Sequence, residues 1–122
     1  MNREQTLQEV ADECHQNSLK AGWHTDHITG KPLPINSGTK LMLIVTEIAE
    51  AMEGNRKNLM DDKLTHRKME EVELADAVIR IFDYAGLMGY DICSAMMEKI
   101  AFNAIRPDHK IENRLAEGGK KY

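Results

Sequence analysis

The chain has 122 residues, 42% of them apolar and 30% charged, with a formal net charge of −4. That length suits one domain with its own core, and the negative balance excludes a general nucleic-acid binder, which needs a basic surface to neutralise phosphates. No apolar run approaches the roughly 18–20 residues that cross a bilayer, and the opening MNREQTLQEV lacks the apolar stretch of a signal peptide; neither nucleic acid nor membrane is an expected partner, and the cytoplasm is the expected location.

Leu7, Val10, Ala11 and Cys14 recur at spacings of three and four, predicting a first helix from about Asn2 or Thr6 to Ala21. Thr6 and Glu9 are placed like a capping box, and Gly22 is the expected stop. The next stretch, GWHTDHITGKPLPINS, holds two prolines and two glycines without an apolar period, so residues 22–37 are expected to form a loop, long enough to carry function. A second helix starts near Ser37 or Thr39 and covers Lys40 to about Lys57, with Leu41, Ile44, Val45, Ile48 and Met52 as its expected core face.

Residues 58–64 read as a connection, and Thr65 as the N-cap of a third helix reaching Met88, with Gly89 just past its end. That helix is expected to bury Leu74, Val78, Ile81, Phe82 and Ala85. Asp91 then caps a fourth helix, which must end by Arg106 because Pro107 follows; its apolar side is Ile92, Met96, Ile100 and Phe102. Residues 107–122, closing on GGKKY, are expected to be an irregular, mobile tail. Cys14 and Cys93 are too few and too far apart for a disulfide framework or a CxxC metal site, and read as small core residues.

The pattern predicts an all-α, four-helix bundle-like domain over residues 1–106. Leu43, Met69 and Leu87 lie away from the main apolar faces, which points to burial on two sides and hence to a homodimer or homotetramer.

Two acidic spacings carry chemistry: Glu47 with Glu50 on the second helix, and Glu73 with Asp76 on the third. At i and i+3 two side chains lie about 60° apart around a helix axis, so each pair presents both carboxylates in one direction. On antiparallel neighbours the pairs would meet, and four carboxylates there repel unless a cation sits among them. Oxygen-only ligands favour Mg²⁺, Mn²⁺ or Ca²⁺ over zinc, with Mg²⁺ the expected ion and Mn²⁺ its alternative. The competing reading is a solvated face, since the acids lie roughly opposite each apolar arc. Apolar company favours the metal reading, with Leu43 and Ala51 beside the first pair and Met69 and Leu87 in line with the second. Lys99, Asn103 and Arg106 share one face of the fourth helix, a cation, an amide and a guanidinium suited to a phosphate and a sugar or base, although a helix C-terminus also favours basic residues.

The stretches KLMLIVTEIAEAMEGNRK, EEVELADAVIRIFDYAGLMGYDI and EKIAFNAIRP together resemble the MazG-like branch of the all-α NTP pyrophosphatases over about residues 38–108. The resemblance implies that Glu47, Glu50, Glu73 and Asp76 bind Mg²⁺ and serve catalysis, and that Lys99, Asn103 and Arg106 meet a nucleoside triphosphate. The implied reaction is attack of metal-activated water at the α-phosphorus, giving a monophosphate and pyrophosphate. Trp23, beside His24 in the long loop, is a candidate for stacking on the base or for anchoring the loop. Arg56 and Lys57 are candidates for phosphate binding that equally fit the helix dipole. Thr46 stands where many MazG-type domains carry a further acid, so the resemblance implies no base preference. Two alternatives stay open: a phosphoribosyl-ATP pyrophosphohydrolase, which shares the acidic plan, and a non-catalytic helical interaction protein.

Overall fold

Asn2 and Gln5 exchange backbone-to-side-chain hydrogen bonds of 2.9 and 3.0 Å, a capping box that starts α1 (Arg3–Lys20) one turn ahead of the expected Thr6 box. This opening belongs to a computed structural model that describes residues 2–122. The chain turns at Gly22, whose φ of 80° suits a residue without a Cβ, and enters the loop. There Asp26 Oδ1 accepts from the amides of Ile28 and Thr29, and the loop closes on itself through the Thr25–Pro32 bridge. Asn36 accepts from Thr39 N at 3.1 Å and caps α2 (Ser37–Lys57).

The third helix starts later than Thr65. Asp61 organises the connection instead, its Oδ2 accepting from the amides of Lys63 and Leu64 while its own amide donates to the Arg67 carbonyl. With Met60 bridged to Lys68 as well, the amides of Asp61, Lys63, Leu64 and Arg67 are engaged within this connection, and α3 begins at Met69, running to Met88. Gly89, left-handed at φ 71°, ends it. Asp91 accepts from Ser94 N and caps α4 (Ile92–Asn103). The tail is not irregular throughout: Pro107–His109 form a 3₁₀ turn and Ile111–Leu115 a short α5. Among the described residues no helix is long and apolar enough to cross a membrane.

The fold is all-helical, with α3 packed between α2 and α1, and α4 against α1. Both long neighbours run antiparallel to α3: Glu47 and Asn55 of α2 meet Arg80 and Glu70, and on α1 His15 lies against Gly86 while Ser18 meets Asp83. The closed part of the core lies among α1, α3 and α4, where Ala11, Phe82 and the fully buried Cys93 pack with Leu7, Cys14 and Ile92. The α2–α3 seam is built from small residues: Ala51, Gly54 and Ala77 are buried. A Cβ at Gly54 would lie 2.9 Å from Met69 Cβ and Cγ, so the helices meet there with no room to spare.

This packing corrects the expected core. Of the face read on α2, Leu41, Val45, Ile48 and Met52 are exposed, and so are Leu74, Val78 and Ile81 of α3 and Met96, Ile100 and Phe102 of α4. Phe82, Ala85 and Ile92 do pack inward. The reason is that α2 and α3 dock through their small and acidic residues, which leaves their widest apolar arcs turned outward. The accessible surface, 9386 Å², is well above the roughly 6,700 Å² that size scaling gives for a folded 13.9 kDa monomer.

Candidate metal centre

The antiparallel register of α2 and α3 fixes which acids meet. Carboxylate oxygens of Glu47, Glu73 and Asp76 lie within 4.8 Å of one another, and Glu50 stands beside Glu73 within hydrogen-bond reach. All four acids singled out in the sequence are therefore gathered on one seam. Their mutual cost is visible in their titration. Burial, then hydrogen bonds shared with Glu47 and Glu50, then the charges of those two push Glu73 up to about 8. Burial and the Glu47 charge also raise Asp76, with Arg80 opposing and Asp61 and Glu50 adding to the rise.

Arg80 and Asp61 were not among the expected residues. Arg80 donates from Nε to Glu47 Oε1 at 2.8 Å, so one carboxylate of the cluster already has a counter-charge. Its signal in the sequence was its place four residues after Asp76 and seven after Glu73, on the stripe that both acids share. Asp61 carried no comparable signal, because it comes from the connection and enters only once that loop folds.

The donor set could hold a hard divalent cation. It offers only carboxylate oxygens, it converges, and one of its members holds a proton near neutral pH in the absence of a positive charge. Glu47, Glu73 and Asp76 are placed to ligate, with Glu50 at their edge.

The remaining candidates divide. Lys99 and Arg106 flank the Phe102 ring, at 4.9 and 5.9 Å from its centroid, and Asn103 Oδ1 is buried without a partner. Lys99 and Asn103 lie on α4, but Arg106, expected on the same helical face, falls beyond the end of α4 as the extended N-cap residue of the Pro107–His109 turn. Arg106 is engaged by Asp108 through bonds of 2.9 and 2.6 Å, and Lys120 of the tail reaches the same carboxylate at 2.9 Å. The Arg106 hydrogen bonds, then that of Lys120, hold Asp108 below the usual carboxylate range. Lys57 and Arg56 both pair with Glu53, at 2.8 and 3.0 Å, so neither charge is turned to the carboxylate cluster.

A second polar centre was missed in the sequence. Asp83 accepts from His15 Nδ1 at 2.8 Å, from Ser18 Oγ at 2.9 Å and from His24 Nε2 at 3.0 Å. Burial raises the Asp83 carboxyl, but the hydrogen bonds from His15, His24 and Ser18 outweigh it and leave the group below its ordinary range. His15, His24 and Asp83 have the spacing of metal ligands. However, Lys40 Nζ stands 3.3 Å from His24 Nδ1. An ammonium only donates, so Nδ1 accepts and the His24 proton sits on Nε2, the atom a metal would need. The centre is a hydrogen-bond lock. Of the two readings of the loop, His24 supplies the anchor, while Trp23 beside it is 73% exposed. Neither a family model, nor a curated protein, nor a solved structure matches this chain.

Proposed function

We propose that the chain is a Mg²⁺-dependent nucleoside triphosphate pyrophosphohydrolase of the MazG-like kind, cutting between the α- and β-phosphates. The observation that carries this reading is the convergence of Glu47, Glu73 and Asp76 within 4.8 Å, with Glu50 against Glu73. Four acids on one narrow seam destabilise a protein that has no use for them, and a divalent ion turns that repulsion into binding. The quoted resemblance of the sequence motifs to that family supports the same chemistry.

In this reading Glu47, Glu50, Glu73 and Asp76 hold the ion, which when bound lowers the pKa of water and neutralises charge on the phosphate oxygens. Water adds to the α-phosphorus and the anhydride oxygen leaves with pyrophosphate. A carboxylate of the cluster takes the proton. Arg80 restrains Glu47 in the orientation the others require. Lys99, Asn103 and Arg106 receive the nucleotide, which asks Arg106 to exchange Asp108 for substrate, and the buried unpartnered Asn103 Oδ1 is a group awaiting a donor.

A homo-oligomer belongs to the same proposal. The chain shows about 2,700 Å² more surface than its mass predicts, and Leu41, Val45, Ile48 and Met52 of α2 with Leu74, Val78 and Ile81 of α3 supply an apolar face. A second copy covering that face would remove an area typical of stable dimers.

The test is a panel of ribo- and deoxyribonucleoside triphosphates scored for monophosphate and pyrophosphate with and without Mg²⁺. Glu50→Gln and Asp76→Asn are expected to abolish pyrophosphate release while leaving the helical circular dichroism unchanged. Wild-type rates in either variant overturn the proposal.

A further inference from the structure

Arg106 enters a clasp whose other half comes from the far end of the chain. Its Nε donates to Asp108 Oδ1 at 2.9 Å and its Nη2 to Oδ2 at 2.6 Å, while Lys120 Nζ reaches that same Oδ2 at 2.9 Å. Two cations, one at each end of the tail, thus converge on a single carboxylate oxygen. The guanidinium takes both carboxylate oxygens side by side, an arrangement that a phosphate satisfies equally well.

Lys120 does not owe its place to Asp108 alone. Arg114 donates from Nε and Nη2 to the carbonyls of Lys120 and Lys121, at 3.2 and 2.9 Å, and Asn113 Nδ2 donates to the Pro107 carbonyl. The chain returns through Gly118, at φ 78°, and Gly119, where a Cβ would lie 2.5 Å from the carbonyl oxygens of Asn113 and Arg114. Ile111 and Leu115 stay 71% and 78% exposed, so polar links and backbone shape, and not apolar burial, hold the tail folded back. A hollow of about 310 Å³, lined by Asp108, His109, Arg114, Lys120 and Tyr122, opens beside the carboxylate. Liquid water takes roughly 30 Å³ per molecule, so a phosphate with part of its hydration fits there. Residues 106–122 carry five Lys or Arg against three Asp or Glu, in a chain whose net charge is −4, which draws an anion to this end of the protein.

We propose that Arg106 and Lys120 form a binding site for a phosphoryl oxyanion, which Asp108 occupies as a built-in competitor until the anion displaces it. This rests on the hydrolase reading only in that Arg106 meets a phosphate, and it adds Lys120 of the tail and a residue that holds the site shut. In the exchange Asp108 turns out to water, and an oxygen of the anion takes the place of Oδ2 between the two cations. Arg114 keeps Lys120 within reach throughout. The ligand is a phosphoryl group, borne by a nucleotide or free as pyrophosphate.

The side-chain Nε–H resonance of Arg106 is the probe, in the full chain with a chelator present so that no divalent ion brings phosphates to the acidic seam. Inorganic pyrophosphate and a nucleoside triphosphate carrying a methylene between its α- and β-phosphorus are both expected to shift it, and the tighter binder names the source of the phosphoryl group. Asp108→Asn should tighten pyrophosphate binding by about tenfold, because the open fraction of the site rises. Lys120→Met should weaken it by about fivefold, for the loss of one charge-assisted donor, and Lys120→Arg should restore it. Glu112→Gln, which removes a tail carboxylate outside the clasp, should change it by less than about twofold. The backbone amide resonances of Gly118 and Gly119 check that the tail stays folded in each variant.

Asp108→Asn that weakens pyrophosphate with the tail intact, as a carboxylate that only shapes the Pro107–His109 turn would, overturns the proposal. An Arg106 resonance that neither anion moves overturns it too, as does Lys120→Met binding as tightly as the parent. Where the glycine resonances show a tail loosened by Asp108→Asn, the parent and the two Lys120 variants decide. Pyrophosphate bound here without pyrophosphate release in Mg²⁺ removes only the hydrolase reading, and release without any response at Arg106 removes only this site, so the two failures are distinguishable.

Discussion

Glu47 is held from the opposite helix by Arg80, whose Nε lies 2.8 Å from its Oε1. The guanidinium also lowers the cost of Asp76, so a single cation tempers two members of a cluster that otherwise repels itself. Arg80→Met is expected to destabilise the metal-free protein by about 1 kcal/mol, for a pair with one well-exposed partner, and so to lower its melting temperature. It should also enlarge the stabilisation gained on adding Mg²⁺, because the added ion then meets less opposing charge. Melts with and without Mg²⁺ for both proteins check this. An unchanged Mg²⁺ increment would show that Arg80 does not face the ion.

Glu73 gives a dependence on pH whose sign is unusual for a carboxylate. Its folded value is raised to about 8, against about 4.3 in an unfolded chain. Between those values the folded state holds the proton that the unfolded state has lost, so the stability of the metal-free protein falls as pH rises and levels off above about 8. Divalent metal competes with that proton, so its affinity should climb through the same range with proton release. Urea unfolding at a series of pH values, and calorimetry in buffers of different ionisation enthalpy, report both effects. Glu73→Gln should flatten the first and abolish the second.

The helices and the acid pairs were legible in the sequence, because period 3.6 and a spacing of three survive any packing. The choice of packed face was not. Leu41, Val45 and Ile48 form the wider apolar arc of α2, yet Ala51 and Gly54 make the seam, since close approach needs small residues more than apolar ones. Arg80 and Asp83 read singly as solvated charges of a helix. Only the line through Glu73, Asp76, Arg80 and Asp83 joins these charges into one polar stripe, and only the register of two other elements tells what faces it. Asp61 and Lys40 depend on loop closure and tertiary contact, for which no local pattern exists.

Gly54 is the tightest point of that seam. Gly54→Ala sets a Cβ 2.9 Å from Met69 Cβ and Cγ and 3.0 Å from the Glu70 amide nitrogen. The gain in helix propensity, about 1 kcal/mol, opposes an overpacking cost of about 1–3 kcal/mol. Net destabilisation is therefore expected, together with weaker metal binding, because the seam opens between Glu50 and Glu73. Chemical unfolding and Mn²⁺ titration are the measurements. A variant as stable as the wild type with unchanged metal affinity would show that α2 and α3 can slide without disturbing the acids.

Asp83 ties α1 and the loop to α3 through three donors. Asp83→Asn removes the charge that His15 and His24 share and leaves one acceptor oxygen for three donors. The expected loss is about 2–4 kcal/mol, the range for a buried network deprived of its ionised partner. The sign with pH is opposite to that of Glu73. The folded Asp83 value is lowered, so its contribution is fully present above about 3.9 and is lost as pH falls through the folded value. Acid unfolding should therefore set in at higher pH in the Asn variant when the two are compared at matched denaturant.

Val45 and Val78, 52% and 47% exposed, lie on the outward faces of α2 and α3 and separate self-association from folding. A charge placed on a face that stays in water changes stability by no more than about 0.5 kcal/mol, whereas a charge buried without a partner in an interface costs several. Val45→Lys and Val78→Glu are thus expected to shift the sedimenting species from an oligomer to a monomer at micromolar concentration. Their melting temperatures should lose the concentration dependence of the parent, because the mass-action link between folding and assembly is cut. The acidic seam lies between α2 and α3 of one chain, so Mn²⁺ binding should persist in the monomer even where turnover declines. A parent that sediments as a monomer, with the same melting temperature at every concentration, would leave the exposed apolar arcs to a partner of different sequence.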